Sequence, residues 1–134
     1  SGRARLPTGS LAEVRAAAAK LQTAGGRDRI IVVTSVADGG LLGTFACAAQ
    51  GSYVVRVTPV DHPAYGAGDS FAALFLGRYL ASRDLPGALS IATSAVRAVV
   101  EATAAAGSID LALVANQSAL VDPPVRYPAE RLAD

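Results

Sequence analysis

The chain has 134 residues, 51% of them hydrophobic, and a formal net charge of +1. This length fits one domain of roughly 100–150 residues, and the apolar fraction suffices for a sizeable core. The scattered, balanced charges argue against a nucleic-acid or polyanion surface. Cys47 is the only cysteine, so an internal disulfide is excluded and a reducing, cytoplasmic location is expected.

Membrane and secretion signals are not expected from the sequence. No apolar stretch is expected to approach the ~20 residues of a membrane span, and Arg3 and Arg5 precede no apolar signal core. The sequence contains no methionine. This is expected either if an initiator before Ser1 is removed or if the chain is a piece of a longer protein.

A helix followed by a strand is predicted first. Ser10 and Glu13 have the spacing of a capping box, and the helix ends at Gly25-Gly26. The β-branched run Ile30-Ile31-Val32-Val33 predicts a strand buried on both faces, closed by Thr34-Ser35. A helix that leads into such a strand is half of an α/β crossover unit. The apolar residues at helical spacing are Leu11, Val14, Ala18 and Leu21.

Two further strands are predicted beside the first. Asp38-Gly39-Gly40 predicts a turn, residues 41–50 a strand, Gly51-Ser52 a second tight turn and residues 53–57 another strand. These strands should be antiparallel and lie near a sheet edge. Residues 58–65 contain two prolines and the only histidine, and a loop is predicted there.

Helices are predicted over most of the remainder. The first runs from Gly68 to about Ser82, and the second begins at Pro86 and ends near Gly107. A third is expected from Asp110 to Leu120, ended by Asp122-Pro123-Pro124 and followed by an irregular tail. The first carries the apolar residues Phe71, Leu74, Phe75, Tyr79 and Leu80, and the second carries Leu85, Leu89, Ala92, Val96 and Val99 on one face.

The run Tyr65-Gly66-Ala67-Gly68-Asp69-Ser70 lies where a polar loop becomes an apolar helix. Unpaired N–H groups and the positive dipole end make such a junction an anion site. A carboxylate beside an anion site is unfavourable unless it has a role, such as accepting a proton from an attacking hydroxyl. The alternative is a plain helix N-cap with glycines in a tight bend. In its context, the run predicts a phosphotransferase.

Other glycine motifs do not fit this junction. A dinucleotide fingerprint requires glycine or alanine where this chain has Phe71. A Walker A loop requires Gly-Lys-Ser/Thr, and Lys20, the only lysine, lies in a predicted helix. Thr34-Ser35 falls at the carboxyl end of a strand, where ligands gather in open α/β sheets, although local turn chemistry would also explain both hydroxyls. Cys47 is predicted to be a small core residue.

These motifs together resemble the C-terminal half of the ribokinase superfamily and, within it, the pyridoxal kinases. The resemblance extends over nearly the whole chain. The glycine–aspartate motif is common to the superfamily, whereas Gln117 and Asp122-Pro123 point to the pyridoxal kinases. The residues that carry the resemblance are Val32-Val33-Thr34-Ser35, Tyr65–Ser70 with Phe71 and Leu74, Leu113–Gln117, Asp122-Pro123, Tyr127, Ala129 and Leu132.

The resemblance implies a catalytic role for the glycine–aspartate motif. Asp69 would be the general base that takes the proton from the substrate hydroxymethyl group, and so the residue that contacts the substrate. The backbone N–H groups of Ala67, Gly68 and Asp69, with Gly66, would form an anion hole for the transferring γ-phosphoryl group. This suits phosphoryl transfer, in which positioning and charge stabilisation supply most of the catalysis.

The resemblance also implies ATP as phosphate donor, pyridoxal as acceptor and Mg²⁺ as cofactor. Thr34 and Ser35 would contact the nucleotide phosphates, and Val57, Thr58, Pro59 and Val60 would lie along the adenine. Mg²⁺ would be held mainly through the ATP phosphates, and no metal ligand is assigned to this chain.

The implied fold is α/β: the C-terminal portion of a ribokinase-like three-layer α/β/α sandwich with antiparallel edge strands. Residues 1–134 would form that portion, with the N-terminal half absent. In this family that half contributes the pyridoxal pocket, so the chain alone is expected to be inactive. An exposed sheet edge beside Ile30 predicts a homodimer or other association through that edge, without nucleic-acid or membrane partners.

Overall fold

The computed structural model describes residues 11–24, 29–60, 67–107 and 117–133. The chain divides into two compact units, one formed by residues 1–59 and 130–134 and the other by residues 60–129. The elements in chain order are α1 (Leu11–Ala24), β1 (Ile31–Asp38), β2 (Leu41–Ala48), β3 (Gly51–Val57), α2 (Ala67–Ser82), α3 (Leu85–Ala105), α4 (Gln117–Val121) and β4 (Ala129–Leu132).

The first unit is built on a four-stranded sheet in the order β1-β2-β3-β4. The pairs β1–β2 and β2–β3 are antiparallel, and α1 contacts β1 and β2. The predicted mixed α/β character, the antiparallel strands beside the Ile30 run and the core position of Cys47 are therefore confirmed. The buried cluster between helix and sheet consists of Val14, Ala18, Val36, Phe45 and Cys47.

The two predicted hairpin turns have different outcomes. Gly39 and Gly40 have φ of 58° and 86°, as a two-residue turn of the primed type requires, and the first turn is confirmed. The second lies two residues earlier than predicted, because Gly51 already pairs with Ala48 as the first residue of β3. Glycine at position 51 instead allows the Arg131 side chain to approach the backbone closely, because a Cβ there would lie 2.9 Å from Nε of Arg131.

Strand β1 does not end at Thr34-Ser35 as predicted. It continues to Asp38, and its register with β2 shifts between Val33 and Val36, which marks a β-bulge that accommodates the extra residues. The expectation of burial on both faces is also wrong, since residues 31–33 are half-buried. The reason is that β1 is the terminal strand of the described sheet and has one neighbour.

The predicted irregular tail contains a strand instead. β4 pairs beside β3, so β3 lies inside the sheet rather than at its edge. Side chains add two contacts to β4 and the residue after it: Arg131 Nη2 donates to the Gln50 carbonyl at 3.1 Å, and Arg15 Nη2 donates to the Ala133 carbonyl at 2.6 Å. Four residues show too little periodicity to predict a strand, and the partner that makes them one is far away in sequence.

The second unit is helical, with α3 in contact with α2 and α4. The predicted apolar face of α3 is confirmed, because all five of its residues are buried. From α2, Phe71 and Phe75 are buried, and their rings stack with centroids 5.9 Å apart. Two of the apolar residues named in the sequence, Leu80 on α2 and Leu21 on α1, are exposed, and each lies near the end of its helix.

Helix boundaries agree with the prediction where the structure describes them. Asp84 is the N-cap of α3 and accepts a hydrogen bond from the Gly87 N–H at 3.1 Å, so the helix begins one residue before Pro86. The third predicted helix is represented by α4, and its expected start at Asp110 lies outside the described residues, as does Ser10 of the capping box.

Helix α3 corrects one expectation about membranes. It has 21 residues and is the one helix among the described residues that is long and apolar enough to cross a membrane by length and composition. The core helix of a folded domain passes the same test, and α3 buries one face from Leu85 to Thr103 within its unit.

Candidate functional site

The glycine–aspartate motif occupies the first turn of α2. Ala67 and Gly68 are the first two helical residues, and Asp69 is the third and is exposed. The N–H groups of this turn have no acceptor within the helix. Asp69 is therefore inside the first turn rather than in the capping position before it. Gly66 lies outside the described residues.

The space beside Gly68 is open among the described residues. A Cβ placed on Gly68 would meet no atom within 4 Å, so packing in this part of the chain does not require glycine here. The same turn thus combines outward N–H donors, a carboxylate and room for a ligand. Such a turn has the groups needed to bind an anion and to accept a proton next to it.

Thr34 and Ser35 lie at the β-bulge in β1, and both are exposed. Ser35 has φ of 59°, which is the left-handed region that residues other than glycine seldom adopt. Backbone conformations of this kind cost about 1–3 kcal/mol and cluster at functional sites. The bulge thus presents two hydroxyls and an unusual stretch of backbone on the surface of the first unit.

The predicted adenine segment follows β3. Val57, the first residue of this segment and the last of β3, is half-buried, and Thr58 and Pro59 are exposed. Val57 and Ala37 both pair with Leu42 of β2, so this segment and the β1 bulge flank one strand of the first unit. Ala67, Gly68, Asp69 and Val60 belong to the second unit.

A charged cluster that the sequence analysis did not single out lies beside this segment. Arg56 Nε is 2.6 Å from Asp38 Oδ2, and Arg56 Nη1 is 2.7 Å from Glu130 Oε2. The hydrogen bond that Arg56 Nε donates to the Asp38 carboxylate is the main cause that raises the pKa of the Arg56 guanidinium. The sequence does contain one indication of this cluster, the arginine within the apolar run of residues 53–57. A charge on a half-buried strand needs a partner of opposite charge.

No group of three or more His, Cys, Asp or Glu side chains that could hold a metal ion occurs in the part of the chain that the structure describes. Mg²⁺ in phosphoryl-transfer sites is usually held by one or two carboxylates together with substrate phosphates rather than by such a group.

The chain belongs to the pfkB family of carbohydrate kinases, whose sequence pattern matches residues 3–111. Within that class it is similar to pyridoxal kinases. It is 43% identical over 94 residues to pyridoxal kinase PdxY of Rubrobacter xylanophilus, covering 70% of this chain and 32% of that protein. It is 33% identical over 129 residues to PdxY of Deinococcus radiodurans, covering 92% and 43%.

The fold matches part of a solved pyridoxal kinase. Leishmania donovani pyridoxal kinase in complex with ADP and pyridoxine superposes with a TM-score of 0.79, 19% identity, and coverage of 96% of this chain and 45% of that one. At this identity the likeness shows the fold alone. The chain spans less than half the length of the relatives it matches.

Proposed function

We propose that this chain is the C-terminal part of an ATP-dependent pyridoxal kinase, which transfers phosphate to the hydroxymethyl group of pyridoxal and yields pyridoxal 5'-phosphate for vitamin B6 salvage. The observation that carries the proposal is the first turn of α2, where the exposed Asp69 adjoins open space at Gly68. The similarity to curated pyridoxal kinases supports the choice of acceptor. In this proposal, residues 1–134 form part of a three-layer α/β/α sandwich.

Asp69 acts as the general base in this proposal. It accepts the proton of the pyridoxal hydroxymethyl group as the oxygen attacks the γ-phosphorus of ATP. The bond from the γ-phosphorus to the β,γ-bridging oxygen breaks, and that oxygen leaves with ADP. The N–H groups of Ala67 and Gly68, with that of Gly66, donate to the phosphoryl oxygens and stabilise the charge that develops there.

The nucleotide is assigned to the first unit and the segment that leaves it. Thr34 and Ser35 contact its phosphates, and residues 57–60 lie along its adenine. ADP in the Leishmania enzyme supports a nucleotide as the shared ligand. Mg²⁺, when bound, neutralises phosphate charge; it is held through the ATP phosphates rather than through a protein cluster.

The acceptor pocket is assigned to sequence outside this chain, because the matched relatives are more than twice as long as the matched region. We therefore expect residues 1–134 alone to bind nucleotide weakly and to leave pyridoxal unphosphorylated. The terminal position of β1 in the described sheet supports association through that strand, in a homodimer or with the remainder of the fold. The cytoplasm is the proposed location.

The experiment that tests the function compares Asp69→Asn with wild type in the full-length protein. The variant should lose about 100-fold or more in the rate of pyridoxal phosphorylation, because general base catalysis contributes this much, while its affinity for ADP changes little. Asp84→Asn is the matched control, since asparagine caps a helix as well as aspartate does. Unchanged turnover in Asp69→Asn would remove the catalytic assignment.

Two alternative functions are distinguished by measuring the turnover of several acceptors with the same full-length protein. One alternative is another small-molecule kinase of the superfamily, acting on a sugar, a nucleoside or a hydroxymethylpyrimidine. The description of the family as carbohydrate kinases supports this alternative. Turnover of a panel of alcohols should favour pyridoxal. The other is a non-catalytic module that keeps an anion-binding turn, and it predicts no turnover of any acceptor.

A further inference from the structure

Arg56 on β3 forms ion pairs with residues of β1 and β4, the two outer strands of the described sheet. Its partners are Asp38, the last residue of β1, at 2.6 Å and Glu130 on β4 at 2.7 Å. The side chains of Arg56 and Asp38 are 26% and 28% exposed, whereas Glu130 is 59% exposed. Water therefore screens the contact with Asp38 less than the contact with Glu130.

The contact with Asp38 crosses an entire strand. Arg56 pairs in register with Gly43 of β2, and Gly43 pairs on its other side with Val36 of β1. Neighbouring strands lie about 4.8 Å apart, so the guanidinium must pass over β2 to reach Asp38. Gly43 has no side chain, and a Cβ there would lie 3.1 Å from Val54 Cγ2. Glycine at this position therefore fits the close packing of Val54 against β2.

Both ends of this link lie on strands that contain or lead into segments to which we assign nucleotide contacts. Asp38 ends the strand that contains the Thr34-Ser35 bulge, and Arg56 immediately precedes Val57. The bulge interrupts the hydrogen-bonded register between β1 and β2. The register resumes at Val36 and continues to Asp38. The ion pair therefore adds a side-chain link between β3 and the paired end of the strand that contains the bulge.

We propose that Arg56 is a positioning residue for nucleotide binding. Its pair with Asp38 holds the Thr34-Ser35 bulge at a fixed distance from the segment that begins at Val57, so that one nucleotide meets both. This inference rests on the proposed function, because that function assigns the two segments to the nucleotide. Arg56 itself contacts no ligand in this proposal.

The test measures ADP binding by the full-length protein, using Arg56→Met, Asp38→Asn and the double variant. Each single variant should bind ADP about tenfold more weakly, a factor equivalent to 1.4 kcal/mol. At saturating ATP, kcat should stay within about twofold of wild type, as should the KM for pyridoxal, because the loss lies in nucleotide binding alone. The double variant should be no weaker than the weaker single variant, because both changes remove one contact.

Glu130→Gln is the matched control. It removes the more exposed pair and keeps the one with Asp38, so the Kd for ADP should change by less than about twofold, as expected for an exposed ion pair. Arg56→Lys serves if Arg56→Met does not fold. Lysine keeps the charge but lacks the planar fork that bonds two carboxylates at once, so we expect weaker ADP binding here too.

Unchanged ADP affinity in folded Asp38→Asn and Arg56 variants would overturn the inference, even if their melting temperatures fell. Additive losses in the double variant would also overturn it. The outcome is independent of the acceptor, because ADP binding is measured without pyridoxal and without turnover. If the wild-type protein binds ADP but does not phosphorylate pyridoxal, the proposed function is contradicted. The positioning role of Arg56 is still decided by the ADP affinities of the variants.

Discussion

The buried hydroxyl of Ser94 on α3 accepts a hydrogen bond from the backbone N–H of Tyr127 at 2.8 Å. One turn earlier, the hydroxyl of Ser90 donates to the carbonyl oxygen of the same residue. Residues four apart lie on one face of a helix, so two serines satisfy both backbone groups of Tyr127. The guanidinium of Arg97 adds a cation–π contact 6.0 Å from the ring centroid. These contacts fix the tail on α3 within the second unit.

Ser94→Ala should destabilise the protein. The substitution removes the acceptor of the half-buried Tyr127 N–H, and losing one such hydrogen bond costs about 0.5–1.5 kcal/mol. Urea denaturation followed by circular dichroism would measure the loss. An unchanged midpoint would show that water replaces the hydroxyl without cost.

Thr93→Val should change the free energy of unfolding in the opposite direction to Ser94→Ala, although the two residues are neighbours in the chain. Its buried Oγ1 has no hydrogen-bond partner among the described residues, and valine has nearly the same shape. Replacing an unpaired buried hydroxyl by a methyl group should raise the free energy of unfolding by about 1 kcal/mol. A loss of stability similar to that of Ser94→Ala would mean that Thr93 has a partner beyond the described residues.

Two glycine substitutions should separate backbone strain from helix propensity. Gly77 lies inside α2 with no atom near its Cβ position, so Gly77→Ala should stabilise by about 0.5–1 kcal/mol. Gly40 has φ of 86° in the first hairpin, so Gly40→Ala should destabilise by about 1–2 kcal/mol. Thermal melts of both variants check the prediction, and equal shifts would contradict it.

Gly68→Ala should separate folding from activity. A Cβ at Gly68 meets no described atom, so the variant should melt no lower than wild type. If a phosphoryl group approaches this turn closely, the added methyl group should reduce kcat/KM by about 10–100-fold, the cost of a misplacement of about 1 Å. Gly77→Ala is the control in the same helix. Full activity in Gly68→Ala would place the phosphate elsewhere.

Cys47 should make stability decline at alkaline pH. Burial raises the pKa of its thiol, an effect that the backbone of Ile31 and the charge of Arg15 only partly offset. The unfolded thiol loses its proton first, so the free energy of unfolding should fall as pH rises from about 8.5, the ordinary thiol pKa, to the higher folded value. Cys47→Ala should lack this part of the decline. Rapid alkylation of the native thiol at pH 8.5 would contradict the burial.

Much of the local structure could be predicted from neighbouring residues. Helical spacing of Leu85 and Leu89 predicted the buried face of α3, and Gly39-Gly40 predicted the first hairpin, because each signal and its consequence lie within a few residues. Thr34-Ser35 is a position at which prediction from neighbouring residues fails. Two hydroxyls after a β-branched run suggest a strand end, whereas the pairing of Val36 with Gly43 continues the strand and turns the pair into a bulge.

The sequence alone determined the family resemblance, the helix that starts at the glycine–aspartate motif and the antiparallel strands. Only the tertiary structure decided that Ala129–Leu132 is a strand beside β3, that Gly51 faces Arg131 and that Arg56 links Asp38 to Glu130. The physical reason is range. Helix spacing and turn glycines act between neighbours along the chain, whereas a strand, a close approach or an ion pair depends on a partner that chain folding brings from far away.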